Sequence, residues 1–140
     1  MADTIEETLV LVKPDGVARN LTGEILRRIE AKGYALTDIR MVEADRSLLA
    51  QHYAEHEGKP FYEPLVEFME SGPIVAIRVA GERVIEGFRS LAGTTDPTTA
   101  APGTIRGDLG RDWGAKVQQN LVHGSDSAES AARELALWFR

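Results

Sequence analysis

The chain contains no cysteine, which rules out disulfides and thiolate metal sites and is compatible with a reducing compartment. Long hydrophobic runs are also missing. The longest, Leu135–Phe139, falls far short of the ~20 apolar residues that a membrane-spanning helix needs. The start, Ala-Asp-Thr-Ile-Glu-Glu, has neither the basic region nor the apolar block of a secretory leader. The expected location is therefore cytoplasmic, with no membrane partner. Positive charge is in deficit, with 16 Lys and Arg against 22 Asp and Glu and a net charge of −6. That balance argues against nucleic acid as a required partner. Any polyanion the protein binds must be met by a local cluster of cations. No Walker A loop, no GxGxxG and no His-Glu-x-x-His occurs, which excludes a P-loop mechanism. Internal repeats and low-complexity tracts are absent as well.

What is present suits one compact domain over residues 1–140, since 43% of the residues are hydrophobic and the length is near the commonest domain size. Thr8–Val12 reads as a buried central strand that runs into a turn at Lys13-Pro14-Asp15-Gly16. Leu21, Ile25, Leu26 and Ile29 repeat at helical spacing up to the stop at Gly33, so this helix should cover one face of a sheet. Tyr34–Val42 and Ile74–Val79 are rich in branched residues and read as strands. Between them Asp45 caps a short helix with Leu48 and Leu49, and a second helix follows Pro60 with Phe61, Leu65, Val66 and Met69 on its inner side. The bend between these helices carries Tyr53, His56 and Phe61. Val84, Ile85, Phe88 and Leu91 define another amphipathic helix with Arg89 near its end. Residues 92–103 then form a long loop rich in Gly, Pro and Thr, of the kind that is usually functional.

Chemistry concentrates near the carboxyl end. Leu121 and Val122 read as a short strand, His123 stands at its end, and Gly124 should let a backbone or a phosphate approach the ring. Asp126 with Glu129 reads as a helix cap with its reciprocal carboxylate. The following helix, Ser127 to about Phe139, sets Ala128, Ala131, Ala132, Leu135, Trp138 and Phe139 on one stripe, with Glu134 on its flank, where a carboxylate can hold a histidine. Singly, Lys13, Arg89 and Arg106 are ordinary surface cations; together with the Thr95 hydroxyl they supply the positive cluster that the acidic net charge demands. Gly107 beside Arg106 should leave room for a ligand.

Lys13-Pro14-Asp15-Gly16, Gly58-Lys59-Pro60-Phe61, Ser71-Gly72-Pro73, Pro102–Asp108 and Asn120–Ser127 occur in the order found in nucleoside diphosphate kinases, and the chain resembles that family from about Glu7 to Phe139. The resemblance implies an α+β fold, a ferredoxin-like βαββαβ sandwich with a four-stranded antiparallel sheet and helices on one face. Alternating strands and helices by themselves would suggest a parallel sheet.

It also implies roles. His123 would take the γ-phosphoryl group of a nucleoside triphosphate and pass it to a diphosphate, as a neutral imidazole with a free lone pair. Glu134, supported by Ser125, would accept a hydrogen bond from the other ring nitrogen and so fix the tautomer. Arg89, Thr95 and Arg106 would hold phosphates, with Tyr53 and His56 beside the transferring group. Lys13 and Asn120 would contact ribose hydroxyls, and Phe61 would stack on a base of any kind. Mg2+ would arrive on the nucleotide phosphates, with no metal held by the protein alone. The implied partners are nucleoside tri- and diphosphates (ATP, GTP, dNDPs) and further copies of the chain: a homo-oligomer, hexamer first, tetramer or dimer next.

Two departures stand out. Residues 108–119 are about four residues longer than the usual family spacing between Arg106 and Asn120; the extra length should bulge outward, or bring Trp113 to the site or an interface. The chain also stops one residue after Phe139. Two other readings remain: a catalytically silent nucleotide-binding module on the same fold, and a phosphohistidine relay or phosphatase acting on a protein.

Overall fold

The computed structural model describes residues 4–140; residues 1–3, which include part of the stretch read for a leader, lie outside the described part. Four strands, β1 (Ile5–Val12), β2 (Ala35–Val42), β3 (Ile74–Glu82) and β4 (Val122–Gly124), form one sheet in the order β2-β3-β1-β4. Every neighbouring pair is antiparallel, as the family resemblance implied and the bare alternation of elements did not. β1 and β3 are the interior strands, which is why they carry continuous apolar runs with side chains buried on both faces.

That double-sided burial decides where the helices go. Val10, Val12, Val75, Ile77 and Val79 pack against Ile25 and Ile29 of α2 (Thr22–Ala31) and Val84 and Phe88 of α5 (Val84–Ala92). Leu9, Leu11, Ile74 and Ala76 turn the other way, onto Leu49 of α3 (Arg46–His52), Val66 and Met69 of α4 (Tyr62–Met69), and Leu135 and Trp138 of α7 (Ala128–Trp138), with the short α6 (Ile105–Leu109) preceding β4 in the chain. Helices therefore cover both faces, which corrects the one-face expectation. A strand apolar on both sides needs cover on both, and each fully buried Leu, Ile or Phe contributes about 1.5–3 kcal/mol.

Several local readings also change. Lys13-Pro14-Asp15-Gly16 opens a short helix, α1 (Pro14–Ala18), rather than a simple turn, with Pro14 in its first turn where a missing N–H costs nothing. The cap of α7 is Ser127, whose side chain accepts from the Ser130 amide, one residue after the expected Asp126. Ala128 and Ala132 face solvent, and Glu134 itself is buried. Phe61 precedes α4 and is 45% exposed, so it is not on the inner face of that helix. Asp45 does cap α3, accepting from the Leu48 amide at 2.8 Å. β2 is a free edge strand whose Ile39 and Met41 stay exposed.

Candidate active site

Strand β4 is brought alongside β1 by a tight reversal. Leu121 has φ +72° and the Val122 amide donates to the Asn120 carbonyl at 2.8 Å, a γ-turn centred on a residue with a side chain. Such a backbone is strained by about 1–3 kcal/mol. Its neighbours hold it in place: the Lys13 amide donates to the Leu121 carbonyl at 2.8 Å, and the Leu121 amide donates to Asp15 Oδ2 at 3.1 Å. Beyond the turn, His123 lies opposite Leu11 in the β1 register. Strand alternation then sends Val122 into the cluster under α5 and His123 to the other face, toward α3 and α7.

There His123 Nε2 meets Glu134 Oε1 at 2.8 Å, and Ser125 donates to the same oxygen at 2.7 Å. Ser125 Oγ in turn accepts from the Leu9 amide at 3.2 Å, so the carboxylate is tied back to the sheet. Burial pushes the Glu134 carboxyl up, but the bonds from His123 and Ser125 and the facing imidazoles outweigh it and hold the group below the usual carboxylate range. An ionised Glu134 accepts only, so Nε2 carries a proton, and in the neutral imidazole Nδ1 then keeps the free lone pair. The contact thus sets which ring nitrogen of a neutral imidazole is left free.

The opposite wall is cationic. Lys13 Nζ donates to Asn120 Oδ1 at 2.8 Å, and Asn120 Nδ2 donates to the Thr95 carbonyl at 3.0 Å. Arg106 spans three backbone carbonyls, those of Asn120 (3.1 Å), Gly93 (2.9 Å) and Val122 (2.7 Å), and so ties the long loop to both ends of the γ-turn. Burial and the neighbouring Arg106 push Lys13 down to about 8. Burial and Arg89 push Arg106 down to about 10. Cations held this closely and out of water are stabilised by an incoming polyanion.

A cleft of about 790 Å³ joins the two walls, a volume that accommodates a nucleotide. Lys13, Tyr53, His56, Arg89, Thr95, Arg106, Asn120, His123 and Glu134, all expected at the site, line it. Tyr53 is buried there and stays protonated, because burial and Glu134 push its phenol up. Thr95 offers its carbonyl to Asn120 while its side chain faces solvent. Two expected residues do not line the cleft. Ser125 is fully buried behind Glu134 and acts through it. Phe61 stands outside, its ring centroid 5.2 Å from that of His56.

Two glycines have roles other than those expected. A Cβ on Gly124 would lie 2.6 Å from the Phe88 ring, and one on Gly107 would lie 2.0 Å from the Ala101 carbonyl. Both make room for the protein itself. Trp113, on the lengthened segment, is 54% exposed under the Arg111 guanidinium and does not line the cleft.

Sequence reasoning missed His52 and Asp15. The His52 ring is buried, lines the cleft, and lies 4.7 Å from that of His123 between centroids. Burial pushes it down to about 3, with His123 adding to the effect, so it is neutral at any ordinary pH. Asp15 is buried beneath the γ-turn, and burial pushes its carboxyl up. His52 adjoins Tyr53, and Asp15 lies two residues from Lys13 in a motif that was singled out; that proximity was the available signal.

A family model described as nucleoside diphosphate kinase matches residues 6–140. Nucleoside diphosphate kinases from Streptomyces avermitilis and Mycobacterium avium are 62% and 60% identical over 135 residues, 96% of this chain and 96% of each relative. The solved halophilic nucleoside diphosphate kinase from Halobacterium salinarum, in complex with CDP, superposes with a TM-score of 0.90 at 46% identity, covering 99% of this chain and 88% of that one. These likenesses favour an enzyme of phosphoryl transfer between nucleotides over a silent module. The chain belongs to the nucleoside diphosphate kinase family.

Proposed function

We propose that His123 carries the phosphoryl group in a two-step exchange between nucleotides. In the first step the Nδ1 lone pair attacks the γ-phosphorus of a nucleoside triphosphate. An N–P bond forms, the bond to the β–γ bridging oxygen breaks, and the diphosphate leaves with that electron pair. The ring becomes a phosphoimidazolium, with the Nε2 proton still bonded to Glu134, whose charge offsets the new positive one. In the second step a terminal oxygen of another diphosphate attacks phosphorus, and the N–P electrons return to Nδ1. The reading rests above all on the 2.8 Å contact between Nε2 and Glu134, which leaves Nδ1 as the attacking atom.

The other roles follow from position. Arg89, Arg106 and Thr95, with Tyr53 and His56, meet the phosphates; Lys13 and Asn120, already bonded to each other, meet the ribose hydroxyls. Phoshoryl transfer depends chiefly on such placement and on offsetting charge at the oxygens. Phe61 stacks on the base from the rim, which suits a diphosphate such as the CDP bound by the halobacterial relative.

Enzymes of this family use a divalent metal, and we assign it as Mg2+ carried by the nucleotide. The donor set fits that assignment: the cleft wall nearest the phosphates is cationic, and the three clustered metal-type donors among the described residues, His52, His123 and Glu134, include the nucleophile and its holder. When bound, the ion screens the phosphate oxygens. The exposed Ile39 and Met41 on the free edge of β2 support assembly as a homo-oligomer. The two apolar clusters on one sheet support a single domain over residues 1–140. No helix among the described residues is long and apolar enough to cross a membrane, in keeping with the proposed cytoplasmic location.

The test is incubation with γ-labelled ATP and magnesium, followed by a GDP chase. An acid-labile phosphoprotein cleared by GDP is expected. Absence of label would favour the silent module, and label resistant to GDP would favour a relay.

A further inference from the structure

His52, His123 and Glu134 each offer a donor atom, and the three atoms lie within 4.8 Å of one another. Two imidazoles and a carboxylate are a set that zinc and its neighbours in the transition series bind readily. Capture of such an ion would occupy the ring that has to stay free to react. One contact opposes it. Trp138 Nε1 donates to His52 Nδ1 at 3.1 Å, in a place where both residues are buried.

An indole nitrogen can only donate. His52 Nδ1 must therefore present its lone pair to Trp138, and the single ring proton must sit on Nε2. Either nitrogen is then a poor metal ligand. Binding through Nδ1 would displace the tryptophan and leave its N–H without a partner in a dry place. Binding through Nε2 would send the proton to Nδ1, where two N–H groups would point at each other.

We propose that Trp138 is a positioning residue that locks His52 in its Nε2-protonated form and so prevents His52, His123 and Glu134 from closing on a transition-metal ion. The benefit to catalysis rests on His123 being the phosphoryl carrier; the tautomer does not. Magnesium, which takes oxygen ligands by preference, is not excluded from the nucleotide by this device.

The experiment is a calorimetric titration of nucleotide-free protein with Zn2+, using wild type, Trp138→Phe and Trp138→Phe/His52→Asn. Groups that orient a metal ligand typically change affinity by about 10- to 100-fold. Zinc binding should therefore tighten by about tenfold or more in Trp138→Phe and return to the wild-type level when His52 is also replaced. Equal affinity in wild type and Trp138→Phe would overturn the proposal, as would a gain that survives the loss of His52. Should Trp138→Phe fail to fold, 15N-histidine NMR of the wild-type protein reads the tautomer directly. Protonation of His52 at Nε2 is expected, and protonation at Nδ1 would overturn the lock. Neither readout depends on phosphorylation, so a failure of His123 to label would sink the proposed carrier without moving them.

Discussion

The two walls of the cleft are built on opposite plans. Behind His123 the hydrogen bonds converge: the Leu9 amide donates to Ser125, Ser125 and the imidazole donate to Glu134, and separately Trp138 donates to the neighbouring His52. That wall is largely buried, and Ser125, Glu134 and His123 Nε2 are bonded within the protein. Across the cleft Lys13, Arg89 and Arg106 crowd like charges together, with Arg89 open to solvent. The closed wall fixes one atom and one tautomer. The cationic wall is incomplete until an anion arrives, so binding energy is available on one side and geometry on the other.

The contrast can be broken from either side. His123→Ala should abolish phosphoenzyme labelling and turnover while leaving nucleotide binding, measured by calorimetry, nearly intact, because the cations are untouched. Retained labelling would place the carrier elsewhere. Arg106→Lys comes next. A lysine cannot span the three carbonyls of Gly93, Asn120 and Val122, so turnover should fall by about 10²–10³-fold and stability by about 2–4 kcal/mol. Loss of activity with an unchanged urea midpoint would show that Arg106 acts on phosphate alone. Glu134→Gln should be milder, lowering kcat by about 10- to 100-fold, the range for a residue that orients another, with little change in KM. An equal rise in KM would mean that Glu134 belongs to the binding wall.

How far these walls were readable from the sequence depended on the range of the contact. β1 and β3 stood out because continuous apolar runs between turn signals have few other readings. Glu134 could be paired with His123 because both fall within a strand, a cap and three helical turns. The bond from Lys13 to Asn120 joins residues 107 apart, and that from Trp138 to His52 joins residues 86 apart. Periodicity reports which face a residue takes, not which distant face it meets, so His52 drew no reading and Trp138 read as part of a helix stripe. The glycines misled for a related reason. Gly124 and Gly107 were correctly seen as close approaches, but the approaching groups, Phe88 and the Ala101 carbonyl, come from elsewhere in the chain. The strained Leu121 carries no sequence signal, since nothing about leucine predicts a positive φ.

The smallest effect probes the cationic wall through pH. Burial and Arg106 outweigh the nearby Asp15 and push Lys13 down from its ordinary 10.5 to about 8. The unfolded chain therefore binds more protons than the folded one between those values, so the destabilising cost of burying charged Lys13 is relieved as pH rises across that window. Nucleotide binding runs the other way. A bound polyanion favours the charged amine, so binding takes up a proton above pH 8, and affinity should fall by about eightfold between about pH 7.5 and 9. Lys13→Met should bind more weakly throughout and lose the slope. A pH-independent affinity in the wild type would show that Asp15 keeps Lys13 charged despite its burial, and that the cationic wall is complete before any nucleotide reaches it.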